Sequence, residues 1–380
     1  MLDTLYRSAL RPVEIKALLK LKIKGKTYAP PKEPLEVLAK KLNDKRFCYA
    51  ALGKVSRSFS VVIQQLPENL KDAVAVFYLV LRALDTIEDD MQLPLPDKKR
   101  LLEDFYKNIN DESFSLNGIG DHDDYKILLK NYPKVVSMFK TLDEDSQQII
   151  VDITSKMGNG MSVFAEKEID SLSDFDLYCH YVAGLVGIGL SNLFIVSKLE
   201  TLPLEDRDSS SNAMGLFLQK TNIIRDYHED LFAGRTFWPK EIWGQYAGNL
   251  KDFAEKPENP ESLACLNHMV SDALQHIPDC LEYMSRVKNK KVFRFTAIPQ
   301  IMAIATLAQL FNNSKVFMSV VKVRKGLAAR LLMYDVSYND VKKYFNKGLL
   351  KIEKQCTGGT PYAEQTKKQL AAIRLKMKGL

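Results

Sequence analysis

Apolar residues recur every three or four positions along most of the chain, and no segment shows the sustained alternation that marks a β-strand. The longest apolar pattern begins at Pro67, which suits the first turn of a helix, and runs to about Asp90. Its other faces are apolar too, so we predict a buried central helix. A second apolar helix is predicted from Ala213 to Leu231. We therefore predict an all-α fold and, with no low-complexity linker, one domain over residues 1–380.

The first apolar helix ends in a cluster of carboxylates. In a helix, Asp85, Glu88 and Asp89 project from one face because they are spaced by three and four residues. Arg82 lies one turn earlier on that face. Carboxylates at the end of a buried helix repel one another unless a cation lies between them, and hard divalent cations such as Mg2+ prefer oxygen ligands. Taken alone, the cluster has two interpretations: a Mg2+–diphosphate site or a solvated acidic helix end.

The second apolar helix repeats this arrangement, with Arg225 followed by Asp226 and Asp230. Two such clusters facing each other across a helical bundle could hold several Mg2+ ions against a diphosphate. An irregular aromatic loop follows, in which Gly234 and Arg235 could cover the site. Loss of diphosphate would leave an allylic carbocation, which requires a dry pocket with aromatic walls. The candidate residues for these aromatic walls are Phe59, Phe77, Tyr78, Phe217, Phe293 and Phe295. For most of them the alternative is ordinary packing in the core.

Composition narrows the classes of partner. The net charge of +7 favours anionic partners such as diphosphates, NADP-type cofactors or acidic lipid headgroups. No module that combines aromatic and basic residues is visible, so we predict no nucleic-acid partner. Five cysteines without a CxxC pair and five histidines without an HxxxH pair argue against a disulfide framework and a zinc site. The late apolar stretch at about Ala297–Phe311 is shorter than the roughly 20 residues that span a bilayer.

Two basic segments lie outside the apolar helices. Residues 1–34 are basic and interrupted by prolines, and they form either a peripheral membrane-facing or flap element or a solvated surface helix. Further on, Ser56, Arg57 and Ser58 place a basic residue between two hydroxyls, which could donate several hydrogen bonds to a phosphate. A solvent-facing helix start explains the same trio equally well.

Four motifs together resemble the eukaryotic-type squalene synthases of the squalene/phytoene synthase family. They are Val80–Asp90, Tyr178–Gly187, Leu216–Asp230 and Phe293–Gln300, and the similarity spans about residues 45–335, the expected catalytic core. The resemblance implies an isoprenoid-synthase helical bundle with a central cavity between the two Asp-rich helices. It also implies that two farnesyl diphosphates condense head-to-head to presqualene diphosphate, which NADPH then reduces to squalene. The implied metal cofactor is Mg2+, with Mn2+ as an alternative.

The resemblance also implies roles for individual residues. Metal binding is implied for Asp85, Glu88, Asp89, Asp226 and Asp230. Catalytic roles are implied for Asp226, Asp230, Tyr178, which is expected to assist proton removal in the first condensation, and Phe295. Contacts with diphosphate or with the NADPH phosphates are implied for Arg57, Arg82, Arg225, Lys322 and Arg324. Substrate contacts are implied for Ser56, Arg57, Ser58, Phe59, Tyr78, Arg82, Gln219 and Asn222.

Departures from the family pattern leave other activities open. His228 lies within the second acidic motif, and Arg294 lies where a neutral polar residue is more usual. The alternatives are a synthase that stops at presqualene diphosphate or makes dehydrosqualene without reduction, and a catalytically inactive helical lipid-binding relative.

The end of the chain bears on where the protein resides. Family members usually carry a C-terminal membrane anchor, whereas this sequence ends at Gly379–Leu380. We expect the cytosolic face of the endoplasmic reticulum membrane if an anchor has been removed, and a cytoplasmic or peripheral location otherwise. Nothing in the sequence marks a dimer contact, so a monomer is expected.

Overall fold

The computed structural model describes residues 12–24, 31–56, 58–201 and 207–378, with their side chains except at 22–24 and 58. Within these ranges the regular elements are helices and no strand is present, so the all-α prediction is confirmed. The helices of the first half are α1 (Pro12–Lys24), α2 (Leu35–Lys41), α3 (Asp44–Val55), α4 (Ser58–Ile63), α5 (Glu68–Asp89), α6 (Leu95–Asp104), α7 (Asp123–Lys130), α8 (Tyr132–Phe139), α9 (Glu144–Phe164), α10 (Leu172–Cys179) and α11 (Leu185–Val196).

The second half continues the bundle. Its helices are α12 (Arg207–Arg225), α13 (Tyr227–Phe232), α14 (Lys240–Trp243), α15 (Asp252–Glu255), α16 (Pro260–Leu274), α17 (Ile277–Arg286), α18 (Lys290–Leu310), α19 (Lys325–Met333), α20 (Tyr338–Gln355) and α21 (Ala363–Met377). A five-residue π-helical segment, His180–Gly184, joins α10 to α11, and short 3-10 turns cover Phe105–Asn108 and Ser314–Phe317.

Helix α5 runs through the interior of the bundle. Its buried residues extend from Leu70 to Ile87, and it contacts α3, α8, α9 and α11. Contacts on several sides explain why the sequence pattern is apolar on more than one face. At the C-terminal turn, the carbonyl of Glu88 accepts a hydrogen bond of 2.7 Å from the buried ammonium of Lys98 on α6. The predicted central helix that ends in carboxylates is therefore confirmed.

Helix α12 packs against the π-helical segment, α11, α17 and α18. A Cβ atom at Gly215 would lie only 2.2 Å from the carbonyl oxygen of Ala183. Across the same contact, a Cβ atom at Gly187 would lie 2.2 Å from the carbonyl oxygen of Ser211. Glycine at both positions lets the two backbones approach each other, which brings the helix that precedes the second acidic cluster against the π-helical segment and α11, directly after the helix that carries Tyr178.

Helix α1 is docked on α19 along one face rather than solvated on all sides. Glu14 and Ala17 are buried, and the Glu14 carboxylate accepts a hydrogen bond of 3.2 Å from the guanidinium of Arg324. The ammonium of Lys20 lies 4.5 Å from the centroid of the Tyr334 ring, a cation–π contact. The rest of the basic N-terminal segment, at residues 1–11 and 25–30, lies outside the described residues.

Among the residues that the structure describes, two helical stretches are long and apolar enough to cross a bilayer, namely Leu172–Val196 and Lys290–Leu310. The second contains Ala297, so the expectation that this stretch is too short was wrong. Its helix begins earlier, at Lys290, and continues through Pro299. In the bundle, 72% of its apolar window is buried, compared with 39% for Leu172–Val196. Core helices and membrane spans share this length and composition, so the sequence pattern alone does not separate them.

Candidate active site

An apolar cavity opens between α4, α5, α9, the π-helical segment, α11 and α18. It encloses about 150 Å3 of space. Arg82 and Asp85 provide its charged wall, beside the end of α5. The remaining lining residues are Phe59, Ile63, Val74, Phe77, Tyr78, Leu81, Met157, Val182, Val186, Leu190 and Phe295. The cavity is therefore suited to a long apolar molecule with an anionic end.

The first acidic cluster occupies the last turn of α5. Burial raises the pKa of Asp85 to about 6, against the opposing effect of Arg82. Burial, followed by repulsion from Asp89 and Asp85, raises the pKa of Glu88 well above its ordinary value. Burial also raises the pKa of Asp89. Arg82 Nη1 lies 3.5 Å from Asp85 Oδ2. Carboxylates that water solvates this poorly favour a nearby positive charge.

The second acidic cluster lies where α12 gives way to α13. The helix predicted as continuous is interrupted, because α12 ends at Arg225 and Asp226 has φ −95° and ψ 8° before α13 begins. Arg225 donates two hydrogen bonds to Asp226, Nε–Oδ1 at 2.7 Å and Nη2–Oδ2 at 2.5 Å. Asp230 N donates to the carbonyl of Asp226 at 2.9 Å, which maintains their helical spacing across the break. Burial raises the pKa of Asp230 to about 6.

Arg235 joins the two clusters. Its Nη1 lies 2.9 Å from Asp89 Oδ1, and its Nη2 lies 3.1 Å from Asp230 Oδ1. The acidic ends of α5 and α13 therefore face each other with one guanidinium between them. Among the described residues, no three His, Cys, Asp or Glu side chains converge closely enough to hold a metal ion in this arrangement.

Tyr178 lies beside the first cluster, at the end of α10. Its hydroxyl donates to Glu88 Oε1 at 3.4 Å. Its ring stacks on Phe237, with centroids 5.1 Å apart and planes 15° apart, and meets Phe164 edge-on at 5.3 Å. Burial raises the pKa of the phenol well above its ordinary value, and the Glu88 carboxylate adds to this effect. Tyr178 is therefore a neutral phenol that points towards the carboxylates.

The chemistry of the donors fits hard divalent cations and a polyanion. Four of the five predicted metal-binding carboxylates have raised pKa values, so they lack sufficient compensating positive charge. The Nε atoms of Arg82 and Arg235 are buried and have no hydrogen-bond partner within the described part of the chain. Buried donors without acceptors are costly, and an anion in the cleft would satisfy them.

The aromatic and polar residues predicted to contact the substrate or its carbocation fall into two groups. Members of the first group either line the cavity or lie on α12 before the second acidic cluster. Phe59, Tyr78 and Phe295 line the cavity, with the Phe59 and Tyr78 rings 6.1 Å apart. Gln219 and Asn222 lie one turn apart on α12 and precede the second acidic cluster on the same face. Both are partly exposed. The structure therefore brings Phe59, Tyr78 and Phe295 together around one cavity, whereas Gln219 and Asn222 are placed only by their spacing from the second acidic cluster.

The second group consists of predicted ligand-binding residues that do not line the cavity or that lie outside the described residues. The buried Ser56 hydroxyl donates to a carbonyl one turn earlier in α3 at 2.5 Å, so the helix itself uses this donor. Arg57 and the side chain of Ser58 lie outside the described residues. Lys322 and Arg324 precede α19 and are not among the residues that line the cavity. Arg324 is paired with the buried glutamate of α1.

The two departures from the family pattern have structural partners. The His228 ring packs against Phe232, with centroids 4.6 Å apart, on the second acidic helix. Arg294 donates to the carbonyls of Leu331 and Leu332, which connects α18 to the end of α19.

Sequence reasoning missed Lys98 and Phe237 and gave Arg235 only a covering role. The buried ammonium of Lys98 fixes the end of α5, and Phe237 supports the Tyr178 ring. The one available signal was a Gly-Arg pair directly after the second acidic helix. Nothing local distinguishes Lys98 from the surface lysines around it.

A helical bundle that holds two acidic helix ends beside an apolar cavity defines the isoprenoid-synthase class of fold. The family model for squalene/phytoene synthase matches residues 52–326. The squalene synthase BSS of Botryococcus braunii is 48% identical over 345 residues, which cover 88% of this chain and 75% of that protein. The squalene synthase of Mus musculus is 44% identical over 364 residues, which cover 96% and 86%. The solved structure of TcSQS with the ligand BPH1237 matches with a TM-score of 0.85 at 41% identity, covering 88% of this chain and 99% of that one.

The chain belongs to the squalene/phytoene synthase family. The resemblance carried by its four motifs is confirmed, including the likeness to eukaryotic squalene synthases. The isoprenoid-synthase bundle that it implied is confirmed as well.

Proposed function

We propose that this protein acts as a farnesyl-diphosphate farnesyltransferase, which joins two farnesyl diphosphates to presqualene diphosphate and reduces this product to squalene. The observation that carries the proposal is the apolar cavity whose charged wall, Arg82 and Asp85, adjoins two facing acidic clusters. Farnesyl diphosphate is likewise an apolar chain with a polyanionic end. Family membership supports the same activity and a place in isoprenoid and sterol biosynthesis.

The two acidic clusters are the proposed site for Mg2+ or Mn2+. The raised pKa values of Asp85, Glu88, Asp89 and Asp230 support this role, because a cation would offset the cost of burying these carboxylates. When bound, divalent cations neutralise the diphosphate as its bond to carbon breaks. Arg82 and Arg225 add permanent positive charge beside the clusters. The proposed ligands are Asp85, Glu88, Asp89, Asp226 and Asp230.

Tyr178 is proposed to move the proton that the first condensation releases. Its raised pKa keeps it a phenol, which both accepts and donates a hydrogen bond. The phenol oxygen accepts the proton from the substrate carbon while its own proton passes to an oxygen of the released diphosphate. Stacking on Phe237 and the hydrogen bond to Glu88 hold the phenol in one orientation.

The cavity walls are proposed to protect the carbocations. Phe59, Tyr78 and Phe295 present aromatic rings, and the aliphatic walls offer no nucleophile. Tyr78 also lies next to Arg82, with the guanidinium carbon 5.9 Å from the ring centroid. A cavity that excludes water favours rearrangement over hydrolysis.

The second half-reaction requires a hydride, which NADPH would supply. We propose that Lys322 and Arg324, together with the arginines Arg57, Arg82 and Arg225, contact its phosphates. A second candidate is a synthase that forms presqualene diphosphate or dehydrosqualene without reduction. The observation in its favour is that Arg324 is engaged by Glu14, away from the cavity walls.

The experiment is an incubation with farnesyl diphosphate and Mg2+, with and without NADPH, followed by mass spectrometry of the products. We expect squalene with NADPH and presqualene diphosphate without it. Asp226→Asn should reduce diphosphate release by about 100-fold or more. Tyr178→Phe should slow the first condensation by a similar factor. Asp208→Asn is the matched control, because Asp208 is exposed at the opposite end of α12 and should leave turnover unchanged.

Three results would contradict parts of this proposal. If NADPH leaves the products unchanged, the reductive half is wrong and the second candidate stands. If Asp226→Asn turns over at the rate of Asp208→Asn, the two clusters do not act together. If Tyr178→Phe forms presqualene diphosphate at the normal rate, Tyr178 does not carry the proton.

We also propose that residues 1–380 work as one catalytic unit and as a monomer. The support is one cluster of buried apolar residues that extends from Leu35 to Ile373. Because the proposed product is a lipid, we further propose that the protein works beside the endoplasmic reticulum membrane.

A further inference from the structure

A tight turn after α13 places Arg235 over the second acidic cluster. Gly234 has φ +76°, a left-handed conformation that favours glycine. Its N–H donates to the carbonyl of Leu231 at 3.2 Å, and the N–H of Arg235 donates to the carbonyl of Asp230 at 2.8 Å. The chain therefore reverses at the helix end, so that Arg235 reaches back across its own helix towards α5.

The guanidinium holds one carboxylate from each cluster. Asp89 belongs to α5 and Asp230 to α13, and these pairs, at 2.9 and 3.1 Å, connect positions 146 and 5 residues away in the chain. The side chains are mostly buried, with 21% of Arg235, 31% of Asp89 and 15% of Asp230 exposed. Ion pairs this sheltered are screened by salt less than surface pairs are.

The same two carboxylates serve two purposes that compete with each other. Asp89 and Asp230 are proposed metal ligands, yet each already accepts a charge-assisted hydrogen bond from Arg235. A divalent cation at these oxygens would lie close to a fixed positive charge, which repels it. The guanidinium therefore stabilises the clusters without metal and opposes the entry of metal.

We propose that Arg235 is an internal counter-cation that ties the two acidic helices together in the metal-free protein and is displaced from Asp89 and Asp230 when divalent cations enter. This inference rests on the proposed metal-binding role of the two clusters. Arg235 thereby sets the divalent-cation concentration at which the cleft loads. It also keeps the carboxylates of α5 and α13 from driving the two helices apart before loading.

The test uses Mg2+ alone as the probe of the full chain. Metal-free protein at low ionic strength is titrated with Mg2+, and the midpoint of the rise in melting temperature is recorded. Arg235→Gln should lower that midpoint roughly tenfold, equivalent to about 1.4 kcal/mol. In EDTA, Arg235→Gln should melt below the wild type, and saturating Mg2+ should remove this difference. Arg235→Lys should have an intermediate midpoint, because it keeps the charge but lacks the planar fork.

Arg374→Gln is the matched control. Arg374 also contacts a carboxylate through two nitrogens, at 2.6 and 2.8 Å from Glu353, but it connects α20 to α21. It should leave the Mg2+ midpoint unchanged. An equal midpoint in wild type and Arg235→Gln would overturn the counter-cation role while leaving the metal site in place. A higher midpoint in Arg235→Gln would overturn it too, because Arg235 would then build the site. A wild type that does not respond to Mg2+ would refute the metal site itself.

Discussion

Replacing Lys220 by methionine should destabilise the protein severely, because this lysine is a fully buried cation with two anionic partners. Its Nζ lies 2.5 Å from Asp176 Oδ1 and 2.6 Å from Asp272 Oδ2, and its side chain is 0% exposed. Burial opposes the charge, but the two carboxylates outweigh this effect and raise the pKa of Lys220. The lysine therefore connects α12 to α10 and α16, and α10 is the helix that ends beside Tyr178.

The magnitude follows from what the substitution leaves behind. Asp176 is 46% exposed and regains contact with water, whereas Asp272 is 9% exposed and stays buried without its cation. Removing one partner of a buried pair costs about 3–5 kcal/mol, since it strands an uncompensated charge. This is a large share of the roughly 5–15 kcal/mol that stabilises a typical protein. Methionine has a similar length, so little of the loss should come from a cavity.

The assay is urea unfolding of Lys220→Met, Asp272→Asn and the double variant. If the stranded charge dominates, the double variant should be more stable than Lys220→Met alone, because asparagine carries no charge. The matched control is Lys45→Met, whose lysine is 59% exposed and pairs with Asp72, and it should cost less than about 1 kcal/mol. A loss below about 1 kcal/mol for Lys220→Met, or a double variant as unstable as the sum of the single ones, would refute the reasoning.

Two further predictions concern packing and pH. Gly215→Ala should cost roughly 3 kcal/mol, because its Cβ would lie 2.2 Å from the backbone oxygen of Ala183, and thermal unfolding checks this against Ala213→Gly. Burial lowers the pKa of His276 to about 3 in the folded protein, so the folded protein keeps this imidazole neutral. In the unfolded chain the imidazole becomes charged below about pH 6.5. From about pH 7 to about pH 5 the wild type should lose roughly 2 kcal/mol more than His276→Gln, as measured by urea unfolding, and equal losses would contradict this.

Hydrophobic periodicity and residue spacing were sufficient to predict those parts of the site that lie within a single helix. The apolar faces of α5 and the carboxylates at its end were predicted, because both depend on helical geometry alone. We predicted that the two acidic clusters face each other because their sequences share the same arrangement of arginine and carboxylates. In the structure Arg235 joins the two clusters. The break at Asp226 was not predicted, since no proline or glycine marks it in the sequence.

Contacts between distant segments could not be predicted from the pattern. Lys98, Phe237 and Glu14 each meet a partner on another element, and the sequence around them looks like an ordinary surface. Docking of α1 buries Glu14 against Arg324, which spacing cannot reveal because 310 residues separate the two. The sequence predicts which residues share a helix face, whereas the partner of each face depends on how the helices pack.

The charges of the site explain how one cleft could release diphosphate twice. Arg82, Arg225 and Arg235 each contact carboxylates of the clusters, at 3.5, 2.5 and 2.9 Å, so the clusters are partly neutralised before any ligand binds. If the carboxylates held divalent cations, the guanidinium groups would be free to contact the diphosphate, and each arginine would pair with its carboxylate again once the ligand had left. Because each of these arginines has a carboxylate or a diphosphate as its partner in both states, no guanidinium group is left buried and unpaired between the two half-reactions.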